Sequence, residues 1–311
     1  MSLKEIGEKQ VIEKVLSQLS LKHDDVYFDG NMLFKIDGFS LEYKFPFMTY
    51  YDIGWKAVTA AVSDIFSRGG SPRYLLGSFG INQGTVEDVL KLVEGINDAS
   101  KFYGSKYVGG DINGSSGDGW VDIAVVGENI CYKELSEIRP GDMIIISNEI
   151  GYTTEVFLSF FRNIPDFTFS KLSSLYVKHP VFPKEINKVF ANYCEKISSS
   201  TDISDGLLIS LANVLLANGL GANIINLPYN RRVLTLSHEI GITEDEILKF
   251  SGEEFQALLF INPYHANNII EYMRFLGMNP VVIGSVMASP VIIYGNREIE
   301  IHGWDNFKGF Y

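Results

Sequence analysis

The sequence predicts a mixed α/β protein built from two domains. A length of 311 residues suggests about two domains, and helical and strand-like patterns alternate from one end of the chain to the other. No low-complexity tract or long linker interrupts this alternation. We therefore expect two α/β domains that meet near Arg139–Asp142, with an N-terminal domain at 1–140 and a C-terminal domain at 141–311.

The first half of the chain predicts three helices and four strands. Residues 3–20 have an amphipathic helical pattern, and "DIGWKAVTAAVSDIFSRGG" (52–70) has apolar residues at helical spacing followed by a glycine stop. The segment 85–104 begins with a good cap and predicts a third helix. The predicted strands are 31–37, 73–81, the short "KYVGGD" (106–111) and 120–130.

The second half repeats the alternation after the turn and strand predicted in "IRPGDMIIISNEIG" (138–151). The periodicity predicts helices at 153–163, 183–194, 205–218, 243–250 and 263–276. The predicted strands are "GANIINL" (221–227), "FQALLFI" (255–261), 279–284 and 290–294.

The composition argues against several classes of protein. The net charge of −12 disfavours nucleic-acid binding, which rests on Lys and Arg neutralising phosphates. No apolar run approaches the roughly 20 residues that span a bilayer, and the N-terminus lacks the apolar stretch of a signal peptide. Cys131 and Cys194 make no disulfide framework and have no Cys-x-x-Cys partner. We expect a cytoplasmic protein without nucleic-acid or membrane partners.

Aspartates recur at turns and helix starts, often beside Gly or Ser. Any one of them could be an ordinary turn or N-cap residue. Asp64 is harder to explain in this way because its helix is otherwise apolar, and a buried unpaired carboxylate is costly unless a cation compensates it. In "STDISDGLL" (200–208) two aspartates lie three residues apart, at a place where the pattern predicts that a strand ends and a helix begins. The candidates are Asp24, Asp25, Asp37, Asp64, Asp111, Asp202 and Asp205.

These carboxylates suggest phosphate chemistry that depends on Mg²⁺. Mg²⁺ prefers oxygen ligands and is commonly shared between carboxylates and substrate phosphates. Aspartates from both halves could hold more than one ion at an interdomain cleft. The loop "VGGDINGSSGDG" (108–119) could bind phosphates through its backbone N–H groups, although such loops are often only flexible.

Other chemistries have less support. The sequence contains no Gly-x-x-x-x-Gly-Lys-Ser/Thr loop, no Gly-x-Gly-x-x-Gly run before a helix and no Gly-x-Ser-x-Gly elbow. The histidines show no His-x-x-x-His spacing, so a zinc site is disfavoured. A Cys/His nucleophile stays open on spacing alone, although neither cysteine has a suggestive context.

The ordered set of motifs resembles one family. Its pieces are "HDDVYF", "KIDGF", "DIGWKAVTAAVSDIFSRGGSPRY", "YVGGD", "RPGD", "DISDGLLISLANVLLANGLGANI", "SGEEFQALLF" and "GWDNF". In this order they resemble the thiamine-monophosphate kinases, within the superfamily of aminoimidazole ribonucleotide synthetase, selenophosphate synthetase and HypE. The resemblance covers nearly the whole chain.

The resemblance implies an activity and an assembly. The family transfers the γ-phosphoryl group of ATP, with Mg²⁺, to thiamine monophosphate in a direct in-line step without a covalent nucleophile, because positioning and charge neutralisation dominate phosphoryl transfer. The implied fold is the two-domain aminoimidazole ribonucleotide synthetase-like fold. Its N-terminal domains pair in a homodimer around a β-barrel.

The resemblance also implies roles for individual residues. The metal ligands would be Asp25, Asp37, Asp64, Asp111, Asp202 and Asp205. The nucleotide contacts would be Tyr103, Gly110, Asp111 and Ser204. The substrate contacts would be Lys44, Glu254 and Trp304. Lys44 could equally be a solvated loop lysine, and Trp304 could simply close a core.

Several positions depart from the family pattern, and they leave the phosphate acceptor open. "GGDINGSS" lacks the usual Thr-Thr-Arg, and the other departures are His23, Ile36, Lys44, Leu135 and Glu254. The alternatives are an ATP-using relative with a different small acceptor, or a catalytically weak nucleotide-binding paralogue. Selenophosphate synthetase and HypE themselves are disfavoured, because the chain lacks a cysteine near its N-terminus and a terminal cysteine tail.

Overall fold

The computed structural model describes residues 2–21, 24–162 and 169–311, so His23 and the end of the helix predicted at 153–163 lie outside the described residues. The α-helices are, in chain order, α1 (Leu3–Ile6), α2 (Glu8–Leu19), α3 (Tyr50–Ser67), α4 (Val86–Phe102), α5 (Tyr152–Phe161), α6 (Lys171–Lys178), α7 (Ile186–Tyr193), α8 (Leu207–Ala217), α9 (Arg231–Ile240), α10 (Glu244–Lys249) and α11 (Pro263–Phe275). The strands are β1 (Tyr27–Phe28), β2 (Met32–Ser40), β3 (Gly70–Ile81), β4 (Lys106–Gly114), β5 (Gly119–Asn129), β6 (Met143–Ile146), β7 (Ile197–Asp202), β8 (Gly221–Ile224), β9 (Ala257–Ile261), β10 (Val281–Met287), β11 (Ile292–Tyr294), β12 (Arg297–Glu298), β13 (Trp304–Asp305) and β14 (Gly309–Phe310).

The chain divides into two compact units that interleave along the sequence. Unit 1 comprises Met1–Asp25, Glu134–Ser174 and Glu195–Tyr311. Unit 2 comprises Val26–Lys133 and Leu175–Cys194. The contiguous domains expected at 1–140 and 141–311 stay a prediction.

Unit 2 is built on a five-stranded sheet with the order β1-β2-β5-β3-β4. β3 and β4 pair in parallel, and the other neighbours are antiparallel. Helix α3 packs against β2, β5 and β3 and also against α4. A Cβ on Gly54 would lie 2.2 Å from the carbonyl oxygen of Leu92, and one on Gly95 would lie 2.1 Å from that of Tyr51. Glycine at both positions therefore lets the backbones of α3 and α4 approach closely.

Unit 1 contains a seven-stranded sheet with the order β12-β11-β8-β10-β6-β9-β7. Its central strands are apolar on both faces, and every residue of β9 is buried. The core beside this sheet includes α8, whose Leu207, Leu208 and Leu211 are 1–2% exposed. Because α8 is almost wholly apolar and buried, its start is held firmly next to the end of β7.

Most of the predicted elements are present, with boundaries shifted by a few residues. The expected strand at 31–37 is β2, and the expected helices at 52–70 and 263–276 are α3 and α11. The helix expected at 3–20 is interrupted at Gly7, whose φ of 82° ends α1 before α2 begins. The elements that were not predicted are the helices α6 and α9 and the short strands β1, β12, β13 and β14.

The expectation that the two cysteines make no disulfide was wrong. A disulfide joins Cys131, just after β5, to Cys194, just after α7, across 63 residues of sequence. Both cysteines belong to unit 2. The spacing rule could not detect the pair, because a disulfide depends on proximity in space and not on sequence separation.

Candidate active site

The turn that carries Asp202 and Asp205 connects β7 to α8. Asp202 is the last residue of β7 and is 3% exposed. Gly206 leaves the turn with φ 129°, a conformation that glycine tolerates best, and α8 starts at the next residue. The N–H of Leu207, in the first turn of α8, donates to Ser251 Oγ at 3.0 Å. The two aspartates are therefore presented by a fixed turn between a buried strand and a buried helix.

A strained turn in "SGEEF" supports this aspartate turn. Glu253 and Phe255 have φ values of 54° and 45°, in the left-handed region that non-glycine residues rarely adopt. The N–H of Glu253 donates to the Ser204 carbonyl at 2.5 Å, and the N–H of Phe255 donates to the Ile203 carbonyl at 2.9 Å. Strain of this kind costs about 1–3 kcal/mol per residue and persists only where the surroundings enforce it.

Glu254 lies between these strained residues and is buried, with 4% of its surface exposed. Its Oε1 accepts hydrogen bonds from the N–H of Gly151 at 2.7 Å, the N–H of Thr154 at 3.4 Å and Thr154 Oγ1 at 3.2 Å. Burial raises the pKa of the Glu254 carboxyl to about 7, against the opposite effect of these hydrogen bonds. The side chain thus ties the strained turn to the start of α5.

Trp304 borders the aspartate turn on another side. Its backbone N–H donates to the carbonyl of Asp205 at 2.9 Å. Its indole Nε1 donates to Asn306 Oδ1 at 3.0 Å, and its ring lies 5.0 Å from that of Phe310 and 6.4 Å from that of Phe161. The ring is half-buried, so one part packs on phenylalanines and another part faces solvent.

The N-terminal helix α2 also contacts this region. The N–H of Glu8 donates to Asp305 Oδ2 at 2.8 Å, and Asn306 Nδ2 donates to the Glu8 carboxylate at 2.9 and 3.0 Å. Burial lowers the pKa of the next residue, Lys9, while the negative charge of Asp205 acts in the opposite direction. Lys9 therefore belongs to the electrostatic environment of the aspartate turn.

Asp25 completes the candidate residues of unit 1. Its Oδ2 accepts a hydrogen bond from Thr201 Oγ1 at 3.2 Å, next to Asp202 in the sequence. Unit 1 thus brings together Asp25, Ser204 and the aspartate pair, with Trp304 and the Glu254 turn beside them.

In unit 2, Asp37 and Asp64 come together on either side of one lysine. Lys35 Nζ lies 2.8 Å from Asp64 Oδ2 and 3.3 Å from Asp37 Oδ2. Lys35 and Asp37 are both on β2, and Asp64 is on α3. Asp64 was predicted to pair with a metal, and Lys35 was not among the predicted site residues. Because strand residues two apart share a face, the spacing of Lys35 and Asp37 was a usable signal.

Two other carboxylates of unit 2, those of Asp111 and Asp122, lie in the row of the sheet next to Asp37. Asp111 on β4 is exposed, and its Oδ2 accepts a hydrogen bond from Asn113 Nδ2 at 2.8 Å. A Cβ on the neighbouring Gly110 would lie 1.7 Å from the carbonyl oxygen of Gly77, so only glycine fits there. Asp122, which was not among the predicted site residues, pairs with Gly38 between β2 and β5. Burial raises its pKa, and the charge of Asp37 raises it further.

Tyr103 and Lys44 both have partners within unit 2. Tyr103 is 4% exposed, and its hydroxyl lies 3.1 Å from Thr59 Oγ1 and accepts the N–H of Phe182 at 3.0 Å. Burial raises the pKa of Tyr103 to about 12. Lys44 Nζ donates to the Met48 carbonyl at 3.4 Å and lies 5.8 Å from the ring centroid of Tyr50. The predicted nucleotide and substrate roles of these residues stay predictions.

The metal site also stays a prediction. Carboxylate oxygens are the donors that Mg²⁺ prefers, so the chemistry of the six aspartates fits this ion. Within the described residues, however, no group of three or more His, Cys, Asp or Glu side chains is arranged to hold a metal. Three of the aspartates belong to unit 1 and three to unit 2.

Comparison with known proteins identifies relatives along the whole chain. Residues 23–129 match the family model of AIR synthase related protein, N-terminal domain. The chain is 28% identical to the thiamine-monophosphate kinase of Pyrobaculum calidifontis, over 98% of this chain and 97% of the relative. It is also 28% identical to the thiamine-monophosphate kinase of Aquifex aeolicus, over 99% of this chain and 100% of the relative. The predicted resemblance to the thiamine-monophosphate kinases is confirmed.

A solved structure confirms the fold class. The structure of AaThiL complexed with AMPPCP and TMP matches with a TM-score of 0.85, covers 98% of each chain and is 23% identical. The mixed α/β fold predicted from the sequence is therefore correct. None of the helices in the described part of the chain is long and apolar enough to cross a membrane.

Proposed function

We propose that this protein transfers the γ-phosphoryl group of ATP to thiamine monophosphate, giving thiamine diphosphate and ADP. The observation that carries the proposal is the end-to-end match to curated thiamine-monophosphate kinases. The AMPPCP and TMP bound to the relative AaThiL support a nucleotide and thiamine monophosphate as the two ligands. We also propose that the protein acts in the cytoplasm, although the Cys131–Cys194 disulfide removes cysteine usage as a support for this expectation.

The aspartates are proposed to hold Mg²⁺ at the phosphates. The ligands would be Asp25, Asp37, Asp64, Asp111, Asp202 and Asp205. When bound, Mg²⁺ neutralises the charge of two anionic reactants that must approach each other. The protein itself would contribute by positioning these ligands. The β7–α8 turn is fixed by its hydrogen bonds to "SGEEF", so the carboxylates on this turn need little reorganisation when an ion binds. No side chain is proposed to form a covalent intermediate.

The remaining candidate residues are proposed to position the two substrates. The nucleotide would be positioned by Gly110, Asp111, Ser204 and Tyr103. Tyr103 would act by holding backbone in place, because its hydroxyl is occupied by Thr59 and Phe182. The phosphate acceptor, thiamine monophosphate, is proposed to be positioned by Trp304, Lys44 and Glu254.

The acceptor residues would act in different ways. The half-buried indole of Trp304 would stack on the thiamine rings, one of which is cationic. Lys44 would offer a positive charge to the phosphate of the acceptor. Glu254 would act by holding the turn beside Ser204, because its carboxylate is bound to the start of α5.

We propose a homodimer formed through the open face of the sheet in unit 2. Two rows of side chains cross the neighbouring strands β2, β5 and β3 on this face. One row is Phe34, Val126 and Tyr74, and the next row is Ile36, Ala124 and Leu76. The four side chains on β2 and β3 are 37–66% exposed on the face opposite α3. Exposed apolar patches of this kind mark interaction surfaces, and pairing two such faces would complete the expected β-barrel. Ile36→Glu should give a monomer in analytical ultracentrifugation, and a stable Ile36→Glu dimer would exclude this face.

The decisive experiment is product identification with purified protein. ATP, Mg²⁺ and one acceptor at a time would be incubated with the protein, and the products identified by mass spectrometry. Thiamine diphosphate and ADP should form in equal amounts from thiamine monophosphate. Turnover with a different acceptor would favour another activity of the superfamily, and no turnover with any acceptor would favour a nucleotide-binding paralogue.

A pair of aspartate variants makes this experiment specific. Asp205→Asn removes a carboxylate from the candidate turn and should lower kcat by at least about 100-fold, since electrostatic stabilisation is the main catalytic term. Asp245→Asn is the matched control, because Asp245 forms an exposed pair with Arg297 in the same unit. It should leave kcat unchanged. Equal effects of the two variants would contradict the proposed site.

A further inference from the structure

Lys35 contacts two of the aspartates that the proposed function assigns to metal. Its Nζ is 2.8 Å from Asp64 Oδ2 and 3.3 Å from Asp37 Oδ2, so the ammonium lies between the two carboxylates. Lys35 and Asp37 project from the same face of β2, and the salt bridge to Asp64 identifies this face as the one covered by α3.

The site of this triad is largely shielded from water. The side chain of Asp64 is 7% exposed, that of Lys35 is 19% exposed and that of Asp37 is 33% exposed. On α3, Asp64 is surrounded in sequence by the fully buried Val62 and Ile65. A carboxylate in such a place needs a cation, because removing its charge from water without a partner is costly. Lys35 supplies that cation from the chain itself.

The two carboxylates are not equivalent partners. Asp64 is nearer to the ammonium and more deeply buried, whereas Asp37 is more distant and more exposed. A single ammonium carries one positive charge and therefore balances one of the two negative charges. The remaining charge is expected on Asp37, whose Oδ1 also accepts the N–H of Gly38 at 2.7 Å.

We propose that the ammonium of Lys35 is a built-in cation that takes the place of one divalent ion between Asp37 and Asp64. Asp64 is then neutralised by the chain itself, and Asp37 is the member of the pair that faces a metal. This inference rests on the proposed function for placing both carboxylates at the metal site, and it refines that assignment, because Asp64 then lines the site without binding an ion itself. The proposed substrates, ATP and thiamine monophosphate, stay the same. The protein would, however, need one divalent ion fewer than its carboxylates could hold.

The test counts Mn²⁺ ions in the absence of nucleotide and thiamine monophosphate. Mn²⁺ binds the same oxygen donors as Mg²⁺, and equilibrium dialysis gives the number bound per chain. Lys35→Ser removes the ammonium and leaves room for an ion. Lys35→Met also removes the charge but fills the space with a side chain of similar length. Lys91→Ser is the control, because Lys91 pairs with Glu94 at an exposed site of the same unit.

We expect Lys35→Ser to bind one Mn²⁺ more than the wild-type protein, and Lys35→Met and Lys91→Ser to bind the wild-type number. Mn²⁺ should also raise the Tm of Lys35→Ser more than that of Lys35→Met. An unchanged count in Lys35→Ser overturns the proposal. A count raised equally in Lys35→Met overturns it too, because the additional ion would then not occupy the place of the lysine.

Folding behaviour decides the outcome if the metal-free Lys35→Ser protein does not fold. Recovery of its circular dichroism spectrum on adding Mn²⁺ supports the proposal. Failure of Mn²⁺ to restore it marks Lys35 as a purely structural cation and overturns the proposal. The kinase assay on the wild-type protein is a separate measurement. The expected Mn²⁺ counts without thiamine diphosphate formation would remove the proposed kinase activity but leave the metal site, and with it this inference, standing.

Discussion

Replacing Glu254 with glutamine should remove a pH dependence of folding stability between about pH 5 and 8. The carboxyl of Glu254 is buried, and burial raises its pKa from the usual 4.5 to about 7 in the folded protein. Between these two values the folded state holds a proton that the unfolded state has released. The free energy of unfolding therefore decreases as the pH rises through this window.

The size of the effect follows from the shift in pKa. A shift of one unit corresponds to about 1.36 kcal/mol, so the rise from 4.5 to about 7 amounts to about 3 kcal/mol of stability lost by pH 8. Glutamine is uncharged at every pH and keeps an Oε1 that can accept from Gly151 and Thr154. The Glu254→Gln protein should thus be more stable than wild type at pH 8, and the difference should shrink as the pH falls and disappear below the unfolded-state pKa of 4.5.

Urea unfolding at 25 °C, repeated at several pH values, measures this difference directly. The other titrating groups of the fold are present in both proteins, so their contributions cancel in the comparison. Tyr229, whose pKa burial raises far above its usual value, does not titrate in this range. Parallel stability–pH curves for the two proteins would refute the reasoning, because they would mean that Glu254 has a similar pKa in the folded and unfolded states.

Three further predictions concern the disulfide and the acceptor site. The Cys131–Cys194 disulfide closes a loop of 63 residues, so urea unfolding in oxidising buffer should show Cys131→Ser to be about 4 kcal/mol less stable than the wild type. In reducing buffer the wild type also loses the disulfide, so the two proteins should be equally stable there. Equal stabilities of the two proteins in oxidising buffer would contradict a stabilising disulfide. Trp304→Ala should weaken the binding of thiamine monophosphate about ten-fold, equivalent to 1.4 kcal/mol of lost stacking. Binding should recover partly in Trp304→Phe, and the KM for ATP should change little. Equal losses of affinity for both substrates would make Trp304 a core residue. Lys44→Ala should raise the KM for thiamine monophosphate more than that for ATP in steady-state kinetics, and no change in either would leave Lys44 as a solvated lysine.

Local patterns in the sequence determined the order of elements and the chemistry of the candidate site. Helix α3 was recognisable because its apolar spacing and glycine stop depend on neighbours within one or two turns. The same holds for the β7–α8 turn, where glycine at 206 is required by a positive φ. Even α9 had local signals that were overlooked, since Asn230 caps its start and Gly241 ends it in a left-handed conformation.

Only the tertiary structure decided which of these residues meet and which are removed from water. Lys35 contacts Asp64 across β2 and α3, Glu254 binds the start of α5 about a hundred residues away, and Cys131 reaches Cys194. These contacts depend on how distant segments pack, and no local periodicity encodes such packing. Burial is likewise a property of the packed whole, because the same glutamate has an ordinary pKa in water and a pKa of about 7 when protein replaces the water around it.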